Sequence, residues 1–134
     1  MKRTALRRRR SEPRRRAAPR FTVWEWELAS EALYRRSGGR CDWCGSQLRN
    51  DAARHHRLRR RDGGDRLANL VLLHTSCHRW VHANPVLARG NGFIVRTGAD
   101  PADVPLYRGY HKGWVKLDDD GSATPTEPLE MSDR

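Results

Sequence analysis

The chain has 134 residues and a formal net charge of +11, from 27 Lys and Arg against 16 Asp and Glu. That length suits one compact domain with tails and argues against two full domains. Hydrophobic residues make up only 37%, and no stretch approaches the roughly 20 apolar residues of a membrane span or the shorter apolar run of a secretory signal, so neither an integral-membrane nor a Sec-secreted protein is expected.

The charge is unevenly placed. Residues 1–20 hold ten basic side chains (Lys2, Arg3, Arg7 to Arg10, Arg14 to Arg16, Arg20) and one acid, Glu12. Such a segment cannot bury enough to offset its ordering entropy, and 1–20 reads as a disordered basic arm. A phosphate-contacting role is favoured over a merely solubilising one, because clustered Lys and Arg form the footprint that nucleic acid requires. A transit peptide is disfavoured, since Arg flanking Ser-Glu-Pro has no apolar face. A second excess lies in residues 35–66, with ten basic and four acidic groups, whereas residues 97–134 carry four basic and eight acidic ones.

Residues 24–36 predict a helix with Trp24, Leu28, Ala32 and Leu33 as its apolar stripe, acids leading and Arg35-Arg36 closing it before Ser37-Gly38-Gly39. Its Trp residues read as packing groups rather than base-stacking ones. Cys41-Asp42-Trp43-Cys44-Gly45 is a tight turn, 53–60 an extended segment, and 62–65 a loop. Leu70 to Leu73 predict a short buried strand. Thr75-Ser76 can cap a helix over 77–83 that ends near Asn84-Pro85. Beyond it, 92–96 and 113–117 alternate as a pair of short strands, with Tyr107, Tyr110, His111 and Lys112 between them reading as surface or packing groups. The stretch from Asp118 to Arg134 reads as fraying, with 122–134 a flexible acidic tail.

Three cysteines cannot form a disulfide framework. Cys41-x2-Cys44 aims two thiolates at one point, and His74-x2-Cys77 repeats that spacing with an imidazole. Together they make a Cys3His set, expected to hold a structural zinc that converts binding into folding free energy for so polar a chain. A thioredoxin-like pair lacks its βαβ surroundings. A finger built from Cys41, Cys44, His78 and His82 fails because 33 residues separate Cys44 from His78, against about twelve in that motif.

Five of the six histidines fall between positions 55 and 82. His78 and His82, at i and i+4, stack on one helix face and can share a metal. His55 and His56 are neighbours in an extended segment, so one faces that helix and the other does not; periodicity leaves open which does what.

The run His55-His56-Arg57-Leu58-Arg59-Arg60-Arg61-Asp62-Gly63-Gly64, then Ala68-Asn69-Leu70-Val71-Leu72-Leu73-His74, then Cys77-His78-Arg79-Trp80-Val81-His82, resembles the HNH endonucleases. It carries their His-x12-Asn-x8-His frame (His56, Asn69, His78) with a Cys-x2-Cys upstream and a second half-knuckle overlapping the last His. The likeness covers about residues 40–85, and 92–121 is similar to the tail of actinobacterial and phage members. His74 stands where relatives usually show Cys, and His55 where many carry Asp.

This resemblance implies a small α+β protein with a ββα-metal core, a zinc knuckle, an N-terminal helix and a C-terminal β pair, the nuclease domain spanning 21–121. It implies a divalent-metal endonuclease that nicks or cleaves DNA. His56 would be the general base and His55 and His78 ligands of the catalytic ion (Mg, Mn, Ni, Co or Zn). His82 would be a further ligand or a scissile-phosphate contact, and Asn69 a brace for the loop that orients His56. The basic cluster Arg57, Arg59, Arg60 and Arg61, with Arg79, would hold DNA phosphates. Implied partners are double-stranded DNA and phage packaging proteins in a bacterial or phage-infected cytoplasm, with no membrane. A non-catalytic zinc-dependent DNA-binding module and an RNA-cutting relative are the rivals.

Overall fold

In the computed structural model, which describes residues 18–111 and 113–128, Thr22 starts the first helix. Its hydroxyl accepts from the Glu25 N–H and the Glu25 carboxylate accepts from the Thr22 N–H, both at 3.2 Å. This reciprocal capping box opens α1, Val23–Ser37. Gly38, at φ 64°, ends it with a left-handed turn. The buried face differs from the expected stripe: Ala29, Leu33 and Ser37 are buried and Trp26 packs on the core, whereas Trp24 is 67% and Leu28 52% exposed. Leu33 follows Trp24 by nine residues, which at about 100° per residue places them on opposite sides of the helix. The core took the Leu33 side because Trp26 lies there.

Two antiparallel strands follow, β1 (Ala52–His56) and β2 (Leu70–His74), in register with His55 opposite Val71 and His56 opposite Leu70. Leu70 to Leu73 are all buried, as the apolar run predicts. The extended segment expected through residue 60 stops at His56, because Arg60–Gly63 forms a single helical turn, α2. A 3-10 turn at Leu67–Asn69 leads into β2.

β2 passes directly into α3, Thr75–Ala83, which packs across both strands. The helix begins two residues earlier than expected, and neither Thr75 nor Ser76 caps it. Thr75 instead donates its N–H and hydroxyl to the Asp51 carbonyl at 2.9 and 3.0 Å. Pro85, read from sequence only as a stop, occupies the first turn of a further helix, α4, Pro85–Gly90; proline suits that position because its missing N–H has no partner there anyway.

Residues 92–96 do not form the expected strand. Gly92 turns at φ 81°, where a Cβ would lie 2.0 Å from the Pro105 carbonyl oxygen. The carbonyls a ladder would need are taken by side chains: Gly92 accepts from Arg57 and Phe93 from His55. The second sheet is instead three-stranded, β3 (Leu106–Arg108), β4 (Gly113–Leu117) and β5 (Ala123–Thr126), antiparallel in that order. The expected fraying from 118 is replaced by order as far as β5, and residues 129–134 of the expected tail lie outside the described residues. Asp119 accepts from Arg66 Nε at 2.9 Å and from the Ala68 N–H at 3.1 Å, and Pro125 sits on an edge strand, where its missing donor costs nothing.

One core gathers Leu33, Leu70 to Leu73, Val81, Phe93, Leu106 and Leu117 around β2. Among the described residues no helix is long and apolar enough to cross a membrane. The basic arm expected at 1–20 lies largely outside the described residues, but its last part belongs to the fold: the Pro19 carbonyl accepts from the Asp65 N–H at 2.7 Å.

Candidate metal centres

The Cys41–Cys44 turn is closed by Cys41 N–H to the Ser46 carbonyl and Gly45 N–H to the Cys41 carbonyl, each 2.9 Å. Asp42 fastens it to β2. Its N–H donates to the Leu72 carbonyl at 2.8 Å, its carboxylate accepts from the Leu72 N–H at 3.0 Å, and the other oxygen pairs with buried Arg108 at 3.1 Å. His74 at the end of β2 and Cys77 in the first turn of α3 complete a group whose ligand atoms all lie within 4.8 Å of one another. His74 Nε2 stands 3.1 Å from the Gln47 carbonyl, which can only accept, so that nitrogen carries the proton and Nδ1 faces Cys44 Sγ at 3.2 Å.

The three thiols crowd one another. Burial and the neighbouring Cys41 push Cys77 up to about 12, and burial also raises Cys41. Burial opposes ionisation of Cys44 as well, but hydrogen bonds from Ser46 and its thiol neighbours bring it down to about 7. Three thiols this close cannot all ionise without a cation among them. Three thiolates and one imidazole are a common tetrahedral zinc set, so the donors fit that ion.

The second group is His55, His78 and His82, again with ligand atoms within 4.8 Å. His55 is buried on β1 and its Nε2 lies 2.6 Å from the Phe93 carbonyl. That bond places the proton on Nε2 and leaves Nδ1 as the lone-pair nitrogen. His78 and His82, one turn apart on α3, bring their Nε2 atoms to 3.0 Å. Burial holds His55 down to about 4, opposed by the Phe93 bond and reinforced by His78 and His82. Burial, then His82, lowers His78. Neutral imidazoles are the ligating form, so these donors fit a divalent ion.

His56 does not join that group. Its ring turns toward Asp65 and Trp26 at the margin of a cleft that His55, His78 and His82 also line. Its Nε2 lies 2.9 Å from Asp65 Oδ1 and its ring meets Trp26 edge-on at 6.2 Å. Asn69 is buried and braces the segment after β1: Oδ1 accepts from the Leu58 N–H at 2.7 Å, and Nδ2 donates to the Leu58 and Gly64 carbonyls at 2.9 and 3.0 Å.

A cleft of about 690 Å³ brings His55, His56, His78 and His82 to one surface. Arg54, Arg57, Arg59, Arg60, Arg89 and Arg96 also line it. Arg57 is a correction to the expected phosphate contacts. It is 2% exposed, with Nε donating to the Gly92 carbonyl at 2.8 Å, Nη1 to Ala68 and Pro101 at 2.9 Å each, and Nη2 to Val104. Burial pushes it down to about 9, and its guanidinium makes four hydrogen bonds inside the fold. Arg60 is partly committed, gripping Asp65 through two bonds of 2.9 Å. Arg61 and Arg79 are exposed but lie outside the cleft lining.

Compared with known proteins, the chain matches no family model, no curated protein and no solved structure. Sequence reasoning missed Asp65, Arg54, Arg89 and Arg96. Asp65 sat in a loop with no periodic signal, and Arg89 and Arg96 reach the cleft only through α4 and the Gly92 turn.

Proposed function

We propose that this chain is a metal-dependent endonuclease of the HNH type that hydrolyses phosphodiester bonds in double-stranded DNA, with β1, β2 and α3 as a ββα-metal core. The observation that supports it is the convergence of four histidines in one cleft rimmed by guanidinium groups. Three of them form a ligand set and the fourth, His56, stands outside it. A zinc-stabilised binding module has no use for a histidine held beside a separate imidazole ligand set.

In this reading His56 takes a proton from the attacking water through its unprotonated nitrogen, a task an imidazole performs near neutral pH. His55, His78 and His82 would hold a divalent ion, which when bound would supply Lewis-acid polarisation of the phosphate and charge neutralisation at the departing 3′-oxygen. These ligands contribute no charge of their own, so the site presents a net positive charge to the phosphate. Arg54, Arg59, Arg89 and Arg96 hold the backbone phosphates that flank the cut, a role in which the internal Arg57 has no part. Asn69 keeps the segment after β1 in shape, and Cys41, Cys44, His74 and Cys77 would hold a structural zinc between the knuckle and α3.

Supercoiled plasmid incubated with the protein and Mg, Mn, Co, Ni or Zn is expected to be relaxed or linearised. A protein that binds plasmid but leaves it intact with every metal is a binding module instead. Selective cutting of RNA under the same conditions moves the substrate class.

A further inference from the structure

Among the described residues, Asp65 is the one carboxylate that meets the cleft histidines, and its side chain is fully buried. An ionised carboxylate has about four acceptor positions, and all are used here. Oδ1 accepts from Arg60 Nε and His56 Nε2, each at 2.9 Å. Oδ2 accepts from Arg60 Nη2 at 2.9 Å and from the Phe21 N–H at 2.8 Å. The Asp65 backbone is held as well, through its N–H to the Pro19 carbonyl. A group tied at so many points cannot rotate to release one partner, so the imidazole bound to it is fixed in turn. The Trp26 ring, with Arg54 stacked on it at 4.1 Å, flanks the His56 ring edge-on.

The carboxylate can only accept, so a neutral His56 must carry its proton on Nε2. Nδ1 is then the basic nitrogen. Arg60 alone does not explain this arrangement, because a bidentate Arg–carboxylate pair is complete without a third donor.

We propose that Asp65 is the positioning residue of His56: its buried carboxylate selects the Nε2–H tautomer and the ring orientation that leave Nδ1 to accept the proton of the attacking water. The proposal rests on the nuclease reading above and adds a residue to it. Asp65 touches neither substrate nor metal and acts only through His56. In Asp65→Asn the amide oxygen is expected to turn to Arg60, presenting the NH2 group to His56 Nε2. That favours the opposite tautomer in an otherwise similar site, as replacing the Asp of a serine-protease triad does.

The test uses the full-length, zinc-loaded protein. Long-range proton–nitrogen spectra of the His56 ring, assigned by its loss in His56→Ala, report the neutral tautomer with no reaction running. The wild type is expected to show Nε2–H, and Asp65→Asn to shift the population to Nδ1–H. Plasmid cleavage by Asp65→Asn is expected to fall by about 10²–10⁴-fold in kcat with KM changed by less than about threefold, Asp65→Glu recovering part of it. An Nδ1–H tautomer in the wild type overturns the proposal even if the variant does not fold. So does a folded Asp65→Asn with wild-type tautomer and kcat, and in that case an inactive His56→Ala still leaves the base reading standing. If His56→Ala cleaves like the wild type, the base reading fails and this proposal with it.

Discussion

His78 and His82 stand one turn apart on α3 with their Nε2 atoms 3.0 Å apart, and the buried His55 ring meets both, at centroid distances of 5.0 and 5.3 Å. Helical spacing alone aligns the first pair, but only the antiparallel pairing of β1 with β2 brings the third imidazole to them. Titration of the zinc-loaded protein with Co or Ni is expected to reveal one further site. His78→Ala and His82→Ala should each weaken it by more than the roughly 10–100-fold that loss of an outer hydrogen-bond partner causes, with zinc content unchanged. Unaltered titrations in both variants contradict the ligand assignment.

Zinc is expected at about one ion per chain and to be integral to folding. Structural sites of this donor type contribute on the order of 10 kcal/mol, more than a typical domain's margin of roughly 5–15 kcal/mol can easily lose. A strong chelator should therefore lower the thermal midpoint sharply, and Cys41→Ser should lose zinc and cooperative unfolding together. His74→Cys should keep the metal, since the knuckle accepts either ligand. Elemental analysis paired with calorimetry reads all three.

Arg57 and Arg89 should separate cleanly. Arg57→Ala leaves four buried carbonyls without their donor and should cost on the order of 3–5 kcal/mol in denaturant unfolding. Arg57→Lys should recover only part, because an ammonium cannot reproduce the planar fork. Arg89→Ala and Arg96→Ala should leave stability within about 0.5 kcal/mol. Each should weaken DNA binding and lower the salt slope by about 1. An Arg57→Ala protein that is stable but fails to bind DNA contradicts the division.

Truncation has a sharp boundary. Removing residues 1–17 deletes nine basic side chains and Glu12, and is expected to weaken DNA binding and its salt dependence. Removing 1–20 also takes the Pro19 carbonyl that accepts from Asp65, so this longer deletion should lower the unfolding midpoint. Equal midpoints for the two truncations contradict the anchoring role of Pro19.

The Cys3His group and the His78–His82 pair are legible in the amino-acid sequence, because their ligands sit at short, fixed spacings whose geometry is local: Cys41-x2-Cys44, His74-x2-Cys77 and the i, i+4 pair on α3. His55 is not, since periodicity does not separate it from His56 and only the pairing of β1 with β2 brings it to that pair. β2 is legible because a fully buried strand needs an unbroken apolar run. The α1 face is not. Trp24, Trp26 and Leu28 are all apolar enough to be core, and only the partners Phe21 and His56 decide for Trp26. The Gly92 segment alternates like a strand, yet its carbonyls answer to Arg57 and His55, contacts 35 and 38 residues away that no local pattern records. The same distance hides the role of Arg57, whose place in a basic run suggests solvent while its guanidinium is the internal tie between β1 and the loops above it.

That His56 is a base beside a histidine-held ion is tested most directly by single-turnover cleavage of a DNA duplex. Wild type and His56→Ala are compared across the divalent metals, matched for zinc content and for measured DNA affinity. Metal-dependent strand scission is expected from the wild type, with a loss of about 10²-fold or more in the variant and binding unchanged. Equal cleavage rates for the two proteins, or no scission by the wild type with any metal, would contradict that role for His56.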